Sequence, residues 1–295
     1  MQSPFLVEVA VAAADGTSVS ALRLALHTLE ADSFSVDVAW DSEAAQAILR
    51  GADEGNLAAA IHHLRSEVGS PLSVGAPQAA YRETLAKRVE VDFTHKKQSG
   101  GSGEFARIML TLEPGAPGQG MAFVDAVKLG NVPPHHIPAI EAALREGAQA
   151  GAWLGFPLID FTATLTDGAY HDVDSSAGAF ATAARGALYE GVRKAGITLL
   201  EPIVKLAVLA RRHAVAAIQA ELAQRRARIE GQESGETCMI VALVPMAALF
   251  GFRDTLAKLG HGEASVALLF DHYAEVPSDL YPPDDSFPAA AALTA

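Results

Sequence analysis

The sequence has almost no cysteine and no long apolar run. The single Cys238 of the 295 residues cannot form an internal disulfide, and the apolar run 238–244 around it predicts a buried thiol in a strand. No apolar segment reaches the roughly 20 residues that cross a bilayer, and no N-terminal stretch has the pattern of a signal peptide. These absences predict a protein of a reducing compartment, cytoplasmic and without membrane contact.

Positive charge is scarce and uneven. The chain has 22 Lys and Arg against 35 Asp and Glu, a net charge of −13, which argues against indiscriminate binding of nucleic acid. Its basic side chains are concentrated in 82–107 and 205–228, whereas 1–49 contains Arg23 alone. These clusters are either solvated faces or local RNA-binding surfaces.

A phosphate loop of the form Gly-x-x-x-x-Gly-Lys-Ser/Thr is also missing. The segment 100–103, Gly-Gly-Ser-Gly, is not followed by the lysine that holds phosphate groups. We therefore expect no nucleotide site in these residues. The histidines His135 and His136 lie between prolines and predict a turn, and no His, Asp or Glu spacing is diagnostic of a metal site, so none is expected.

What the sequence does contain is a repeated order of elements. Apolar periodicity predicts β-α-β-β-α over 1–75 and β-α-β-β-α-β over 199–275. The region between them has a different order, and its glycine-rich segment Lys96–Glu104 is predicted to hold no regular element. We predict an α+β fold of three domains, 1–75, 76–198 and 199–295, in which two ferredoxin-like βαββαβ modules flank a different central domain. The last domain ends in an acidic, proline-rich tail.

Two segments, Thr94–Gly103 and Asp167–Ser176, closely resemble elongation factor G. Further matching segments follow in the family's order: Gly75–Thr84, Gly155–Asp160, Leu200–Ile203, Arg225–Gly231 and Phe270–Pro277. The resemblance implies the third, fourth and fifth domains of that factor. The implied central domain has the fold of the second domain of ribosomal protein S5.

The resemblance implies the ribosome-binding C-terminal portion of a translational GTPase, which promotes translocation of tRNA and mRNA in protein synthesis. The GTPase domain, with its GTP and magnesium, is expected outside these residues, so this chain is not expected to be an enzyme or to hold a cofactor. The implied partners are ribosomal RNA, tRNA and mRNA at the decoding centre, and a monomer is expected. Ribosome recycling and ribosome protection remain alternatives.

The resemblance also implies which residues contact RNA. It assigns the tip of the central domain to two segments, whose residues are Lys96, Lys97, Gln98, Ser99, Gly100, Gly101, Ser102, Gly103, Tyr170, His171 and Asp172. In the last domain it implies an rRNA contact through Arg225, Arg226 and Arg228. A hydrolase that uses His171, Asp172 and Asp174 is the less favoured alternative, because a loop flanked by glycine and serine is a poor place to separate two carboxyl pKa values.

Two departures from the family predict a divergent paralogue. The segment Gly51–Asn56 replaces the family's Gly-Met-Gly-Glu-Leu-His, which helps to couple the GTPase end to the ribosome. Glu263 stands where the family commonly has arginine. The first change places that coupling in doubt, and the second reverses the charge at an expected RNA contact.

Overall fold

The computed structural model describes residues 5–14, 19–31, 35–42, 44–99, 102–128, 130–151, 153–233 and 235–280. The chain divides into two compact units. One unit consists of residues 1–80, 201–274 and 279–295, and the other consists of 81–200 and 275–278. No helix within the described ranges is long and apolar enough to cross a membrane.

The first sheet belongs to the first unit. Its elements are β1 (Val7–Ala13), α1 (Val19–Ala31), β2 (Asp37–Asp41), β3 (Gln46–Gly51), α2 (Glu54–Val68), β4 (Leu72–Val74) and β5 (Gln78–Ala79). The strands are antiparallel in the order β2-β3-β1-β4, and β5 also pairs with β1. This order confirms the ferredoxin-like module that the periodicity predicts.

Two local features define the end of this module. Asp53 caps α2 by accepting a hydrogen bond from the Asn56 amide at 2.9 Å, and Gly69 ends the helix with a left-handed φ of 64°. The segment after Gly69 resembles a linker in its Gly/Ser/Pro composition. It nevertheless contains β4 and leads directly into β5. Pairing with β1 therefore overrides the local composition.

The second unit contains the central sheet. The elements of this unit are β6 (Arg82–Leu85), β7 (Val89–Ser99), β8 (Ser102–Pro114), β9 (Met121–Asp125), α3 (Ile137–Ala150), β10 (Phe161–Ala169) and α4 (Ala177–Ala195). The sheet order is β7-β8-β10-β9, antiparallel except for the parallel pair β9 and β10. Apolar residues of these strands and of both helices form one buried core, which includes Phe161 and Phe180.

The expectation that Lys96–Glu104 holds no regular element is wrong. Lys96 pairs with Phe105, Lys97 with Glu104 and Gln98 with Gly103, so the β7–β8 ladder continues to the pair Ser99 and Ser102. Backbone hydrogen bonding in a long hairpin compensates for the low strand propensity of this sequence. Gly100 and Gly101 lie outside the described residues.

Small residues let α4 approach the sheet closely. A Cβ built on Gly186 would come within 2.3 Å of the Phe93 ring, and one built on Gly191 would come equally close to Leu112. The helix therefore packs at a distance that only glycine permits at these two positions. This packing fixes the start of α4, and with it the turn that precedes the helix.

The third sheet has the second ferredoxin-like order, β12-β13-β11-β14. Its elements are β11 (Ile197–Arg211), α5 (Val215–Gln224), β12 (Arg228–Glu233), β13 (Thr237–Pro245), α6 (Phe252–Leu259) and β14 (Ser265–Glu275). Strand β11 runs without a break through residue 198, and Ile197–Leu200 pair with β6. Cys238 lies in β13 and is buried, which confirms that prediction.

The paired histidines before α3 serve packing. Pro134–His136 form a single 3-10 turn, and the buried His136 ring stacks on Phe180 with centroids 4.9 Å apart. Burial, together with the neighbouring His135, lowers the pKa of His136. The turn predicted from the flanking prolines is confirmed.

Candidate functional site

The end of the β7–β8 hairpin contacts the turn between β10 and α4. Two hydrogen bonds connect them: the Phe105 amide donates to the Asp174 carbonyl at 2.9 Å, and Ser175 Oγ donates to the Phe105 carbonyl at 2.6 Å. Within the turn, the His171 amide donates to Ser175 Oγ at 2.9 Å. Ser175 thus links both segments through one hydroxyl group. Two stretches about 70 residues apart in sequence form one surface, which we call the tip surface (residues 96–105 and 169–175).

Gly103 makes the close contact possible. A Cβ at this position would lie 2.8 Å from the Asp174 carboxyl carbon and from its Oδ1. Contacts below 3.0 Å are essentially never seen for real Cβ atoms, so a side chain at 103 requires the Asp174 carboxyl group to move from its place beside His171. The glycine is needed here for space, which differs from the loop flexibility that the sequence indicates.

His171 lies at the exposed side of the turn. Its Nδ1 accepts hydrogen bonds from the amides of Val173 and Asp174, each at 3.3 Å. Nδ1 also lies 3.3 Å from the Asp174 carboxylate, a contact that becomes an ion pair only if the ring is protonated. When the ring is neutral, the two amide donors place its hydrogen on Nε2. The side chain is 58% exposed, so the ring can still meet a partner.

The tip surface encloses an open cleft of about 540 Å³. Its lining combines the predicted cations with aromatic and acidic groups: Lys96, Lys97, Gln98, Gly103, Glu104, Phe105, Ala169, Tyr170, His171 and Asp174. Tyr170 is 43% exposed, and both lysines are exposed. The cleft can therefore offer charge, hydrogen bonds and an aromatic face at the same time.

The carboxylates of Glu104 and Asp174 offset the positive charge of the two lysines, and each carboxylate has a partner. Nε2 of His95 lies 2.7 Å from Oε2 of Glu104, and this hydrogen bond, with Lys97 nearby, lowers the pKa of Glu104. Asp174 lies in the turn with His171. The tip surface is thus of mixed charge, and a ligand would be recognised by the position of individual groups more than by a uniform positive field.

Most residues that the sequence predicts for the tip come together. Lys96, Lys97, Gln98, Gly103, Tyr170 and His171 line the cleft, and Asp172 is exposed in the same turn. Ser99 and Ser102 form the last described pair of the hairpin. Glu104 and Phe105 were missed as site residues, and Asp174 was named only for the less favoured hydrolase. Extending the alternating pattern of β7 through Lys97 would have placed Glu104 opposite that lysine.

The three arginines of the last module have different environments. Arg225 donates to Glu221 at 2.7 Å and to the Ala248 carbonyl at 2.7 Å, and Arg226 forms a two-bond pair with Glu201 at 2.8 Å. Arg228 lies 3.2 Å from Glu230, and its side chain is 75% exposed. Of the three, Arg228 is the most accessible to an external partner.

The divergent segment Gly51–Asn56 contacts the last module inside the first unit. Asp53 pairs with Arg253 at 2.7 Å, and Glu54 accepts a hydrogen bond from the Gly251 amide at 3.0 Å. Its acidic residues therefore connect the two ferredoxin-like modules. Within the described ranges, no group of three His, Cys, Asp or Glu side chains is placed to hold a metal ion.

Comparisons with known proteins agree with this architecture. Two family models match the chain: elongation factor G domain IV over residues 77–196 and the elongation factor G C-terminus over residues 198–282. The elongation factors G of Cereibacter sphaeroides and Paracoccus denitrificans are 40% identical to it over 276 residues. That match covers 93% of this chain and 39% of the Cereibacter relative, so the chain spans about two fifths of the length of such relatives.

A solved structure also resembles this chain. A crystal structure of a protein from Thermus thermophilus matches with a TM-score of 0.77 at 34% identity. The match covers 95% of this chain and 42% of that protein. The sequence match and the structural match therefore each cover nearly the whole length of this chain.

Proposed function

Because the chain belongs to the elongation factor G family, in which it corresponds to the C-terminal part, we propose that it engages the ribosome and promotes translocation of tRNA and mRNA. The observation that carries this proposal is the tip surface, where a long hairpin and a short turn hold Lys96, Lys97 and His171 at one exposed end. Such an end can enter an RNA-lined space, contact phosphates through the lysines and offer an imidazole N–H and an aromatic face to bases.

We propose the same domain division as above, 1–75, 76–198 and 199–295. The three sheet orders support it, although β5 still pairs with β1 beyond residue 75, and β11 passes through residue 198 and pairs with β6. We further propose that rRNA, tRNA and mRNA are the partners, that the protein is a cytoplasmic monomer, and that GTP and magnesium belong to a GTPase part outside these residues. Arg228 is the proposed rRNA contact of the last module because of its exposure.

The geometry gives little support to a hydrolase. In a hydrolase, the His171 Nδ1 would have to act as a base or be oriented by a carboxylate. In this structure it already accepts hydrogen bonds from two backbone amides. The turn is open to solvent, so it does not provide the enclosed environment in which paired carboxyl groups acquire different pKa values.

The test is co-sedimentation of the 295-residue chain with ribosomes over a range of salt concentrations. We expect the binding to weaken as the salt concentration rises. The double variant Lys96→Gln/Lys97→Gln should bind more weakly and show a smaller slope of log affinity against log salt, because a protein with fewer phosphate contacts releases fewer counterions on binding. Lys128→Gln, an exposed lysine outside the tip surface, is the matched control.

The result also separates the alternatives. Ribosome binding that is unchanged in the Lys96→Gln/Lys97→Gln variant would contradict the proposal. A chimaera that joins the chain to the N-terminal part of the Cereibacter sphaeroides elongation factor G should support translocation. If the chimaera instead splits ribosomes or only confers drug tolerance, recycling or protection replaces translocation as the function.

A further inference from the structure

A second exposed aromatic surface lies away from the tip surface, on the second unit. Trp153 and Tyr189 are 50% and 57% exposed, and their ring centroids are 6.5 Å apart with the planes tilted by 37°. Neither ring covers the other at this distance and tilt, so each keeps a face open to solvent. Two large aromatic side chains side by side on a surface form an apolar patch that a ligand can cover.

The loop that carries Trp153 is held in place from below. The fully buried Glu83 accepts hydrogen bonds from the amides of Leu154 at 2.7 Å and Phe156 at 3.1 Å. Tyr189 is equally fixed, because it lies on α4 between the buried positions Leu188 and Val192. The backbone positions that carry the two rings are therefore fixed before any ligand binds, which lowers the entropic cost of binding.

Cations flank the aromatic pair. Arg185 and Arg193 lie four residues before and after Tyr189, on the same face of α4. Arg185 is paired with Glu146 at 3.1 Å, whereas Arg193 has no ion-pair partner among the residues that the structure describes. The neighbouring Glu190 is paired with Lys194 at 2.6 Å. One unpaired positive charge thus lies one helical turn from the open tyrosine ring.

Most of the negative charge of the chain lies outside the part that carries the aromatic pair, and Arg193 adds a local positive charge beside the pair. Residues 81–200 hold 11 Lys and Arg against 13 Asp and Glu, a net charge of −2, so −11 of the total −13 lies elsewhere. A partner that docks by apolar contact alone would need more apolar area than two rings provide. Unpaired RNA bases fit better, because a base stacks on an aromatic ring while its phosphate meets an arginine.

We propose that Trp153, Tyr189 and Arg193 form a stacking site for unpaired RNA bases, separate from the tip surface. The site recognises single-stranded RNA by base stacking and phosphate contact, with little dependence on sequence. It does not require the tip surface to act in the decoding centre, so the two proposals can fail independently.

Tryptophan fluorescence tests this site directly, because the chain has only two tryptophans, Trp40 and Trp153. In a Trp40→Phe background, Trp153 is the only tryptophan reporter. A single-stranded oligoribonucleotide of mixed sequence, about 12 nucleotides long to span one binding surface, should quench it at low salt and less at high salt. The same strand in a duplex should quench it much less, since its bases are already stacked.

Variants then assign the contact. We expect Tyr189→Ala and Arg193→Gln to weaken the oligonucleotide affinity by about fivefold or more, while the ring-preserving Tyr189→Phe stays near wild type. Leu269→Ala, which removes another exposed apolar side chain from the first unit, is the control and should change nothing. If Trp40→Phe fails to fold, the difference in quenching between wild type and Trp153→Phe gives the same readout.

Three outcomes would overturn the proposal. The first is a natively folded protein whose Trp153 is not quenched at any salt concentration. The second is equal quenching by the duplex. The third is loss of the Trp153 response in the Lys96→Gln/Lys97→Gln variant, which would place the binding at the tip surface instead.

Discussion

The Asp174 carboxylate lies directly against the Cα of Gly103, so close that a methyl group on that carbon would come within 2.8 Å of it. The Asp174 backbone cannot easily withdraw, because its carbonyl accepts the Phe105 amide at 2.9 Å. The hairpin and the turn are therefore in contact at both the backbone and the side-chain level. The position of His171 depends on this contact, since its ring accepts from the Asp174 amide.

Gly103→Ala should push the Asp174 carboxylate away from residue 103 and from the His171 ring. We expect the free energy of unfolding to fall by about 1–2 kcal/mol, as for other overpacked positions, and ribosome binding to weaken because the tip residues move. Urea unfolding and co-sedimentation measure the two effects. Gly178→Ala is the control: its Cβ would meet only Ser176 Oγ at 3.8 Å, and an exposed helical alanine should leave stability unchanged or raise it. Equal effects at both positions would refute the close contact.

Periodicity was sufficient to predict the two ferredoxin-like modules, because each has alternating strands and amphipathic helices in an order that few folds share. The fold expected for the central domain came from the family resemblance. Periodicity failed where pairing partners lie far apart in sequence. Lys96–Glu104 looks like a loop because of its glycines, yet hydrogen bonds to the facing strand extend the hairpin through it. Similarly, no local signal shows that Asp53 pairs with Arg253, which lies 200 residues later.

The site shows the same limit. The sequence motifs predict its exposed members, which are Lys96, Lys97 and His171. The same motifs do not predict which groups Arg225 and Arg226 pair with. Basic residues in a cluster suggest an RNA contact, but a guanidinium can equally well satisfy a buried carboxylate or two carbonyls of its own fold. Only the tertiary structure distinguishes these uses.

Arg226 connects two of the matching segments, since it pairs with Glu201 through two bonds of 2.8 Å. The Glu201 side chain is only 3% exposed, so removal of the arginine leaves a buried carboxylate without its charge partner. We expect Arg226→Met to lower the free energy of unfolding by about 3–5 kcal/mol. The exposed Arg228→Met should cost less than about 1 kcal/mol. Urea denaturation compares them, and a similar small loss in both would show that the Glu201 pair contributes little.

Glu83 should make stability depend on pH. Burial raises its pKa above the ordinary 4.5, and the amide hydrogen bonds from Leu154 and Phe156 oppose this only in part. The folded state therefore holds the proton at a pH where the unfolded chain has released it. The contribution of Glu83 to stability is complete below pH 4.5 and is lost as the pH rises through the raised pKa.

The measurement is urea unfolding of wild type and Glu83→Gln at several pH values from about 4.5 to 8. Because glutamine keeps an oxygen for the two amides but cannot ionise, the stability of wild type relative to Glu83→Gln should fall as the pH rises. Glu90→Gln removes a carboxyl group that is 70% exposed and serves as the control for a change in net charge. A constant difference across this range would contradict the predicted shift.

The last prediction concerns the two roles that His171 can have. Its Nδ1 supports the turn by accepting two amides, whereas its ring and Nε2–H are free for a partner. His171→Asn separates these roles, because the asparagine Oδ1 can take the place of Nδ1 as acceptor without supplying a ring. His171→Ala removes both.

We expect both variants, placed in the chimaera with the Cereibacter N-terminal part, to slow tRNA movement by a factor that corresponds to about 1–3 kcal/mol of lost stacking and hydrogen bonding. Ribosome-stimulated GTP hydrolysis should stay nearly unchanged, because the phosphate-binding residues belong to the other part of the chimaera. Rapid kinetics of movement and of phosphate release measure the two steps separately. If His171→Asn moves tRNA at the wild-type rate while His171→Ala does not, the imidazole acts only by shaping the turn. If either variant abolishes GTP hydrolysis, the tip surface affects more than tRNA movement, and the role proposed for it in translocation is wrong.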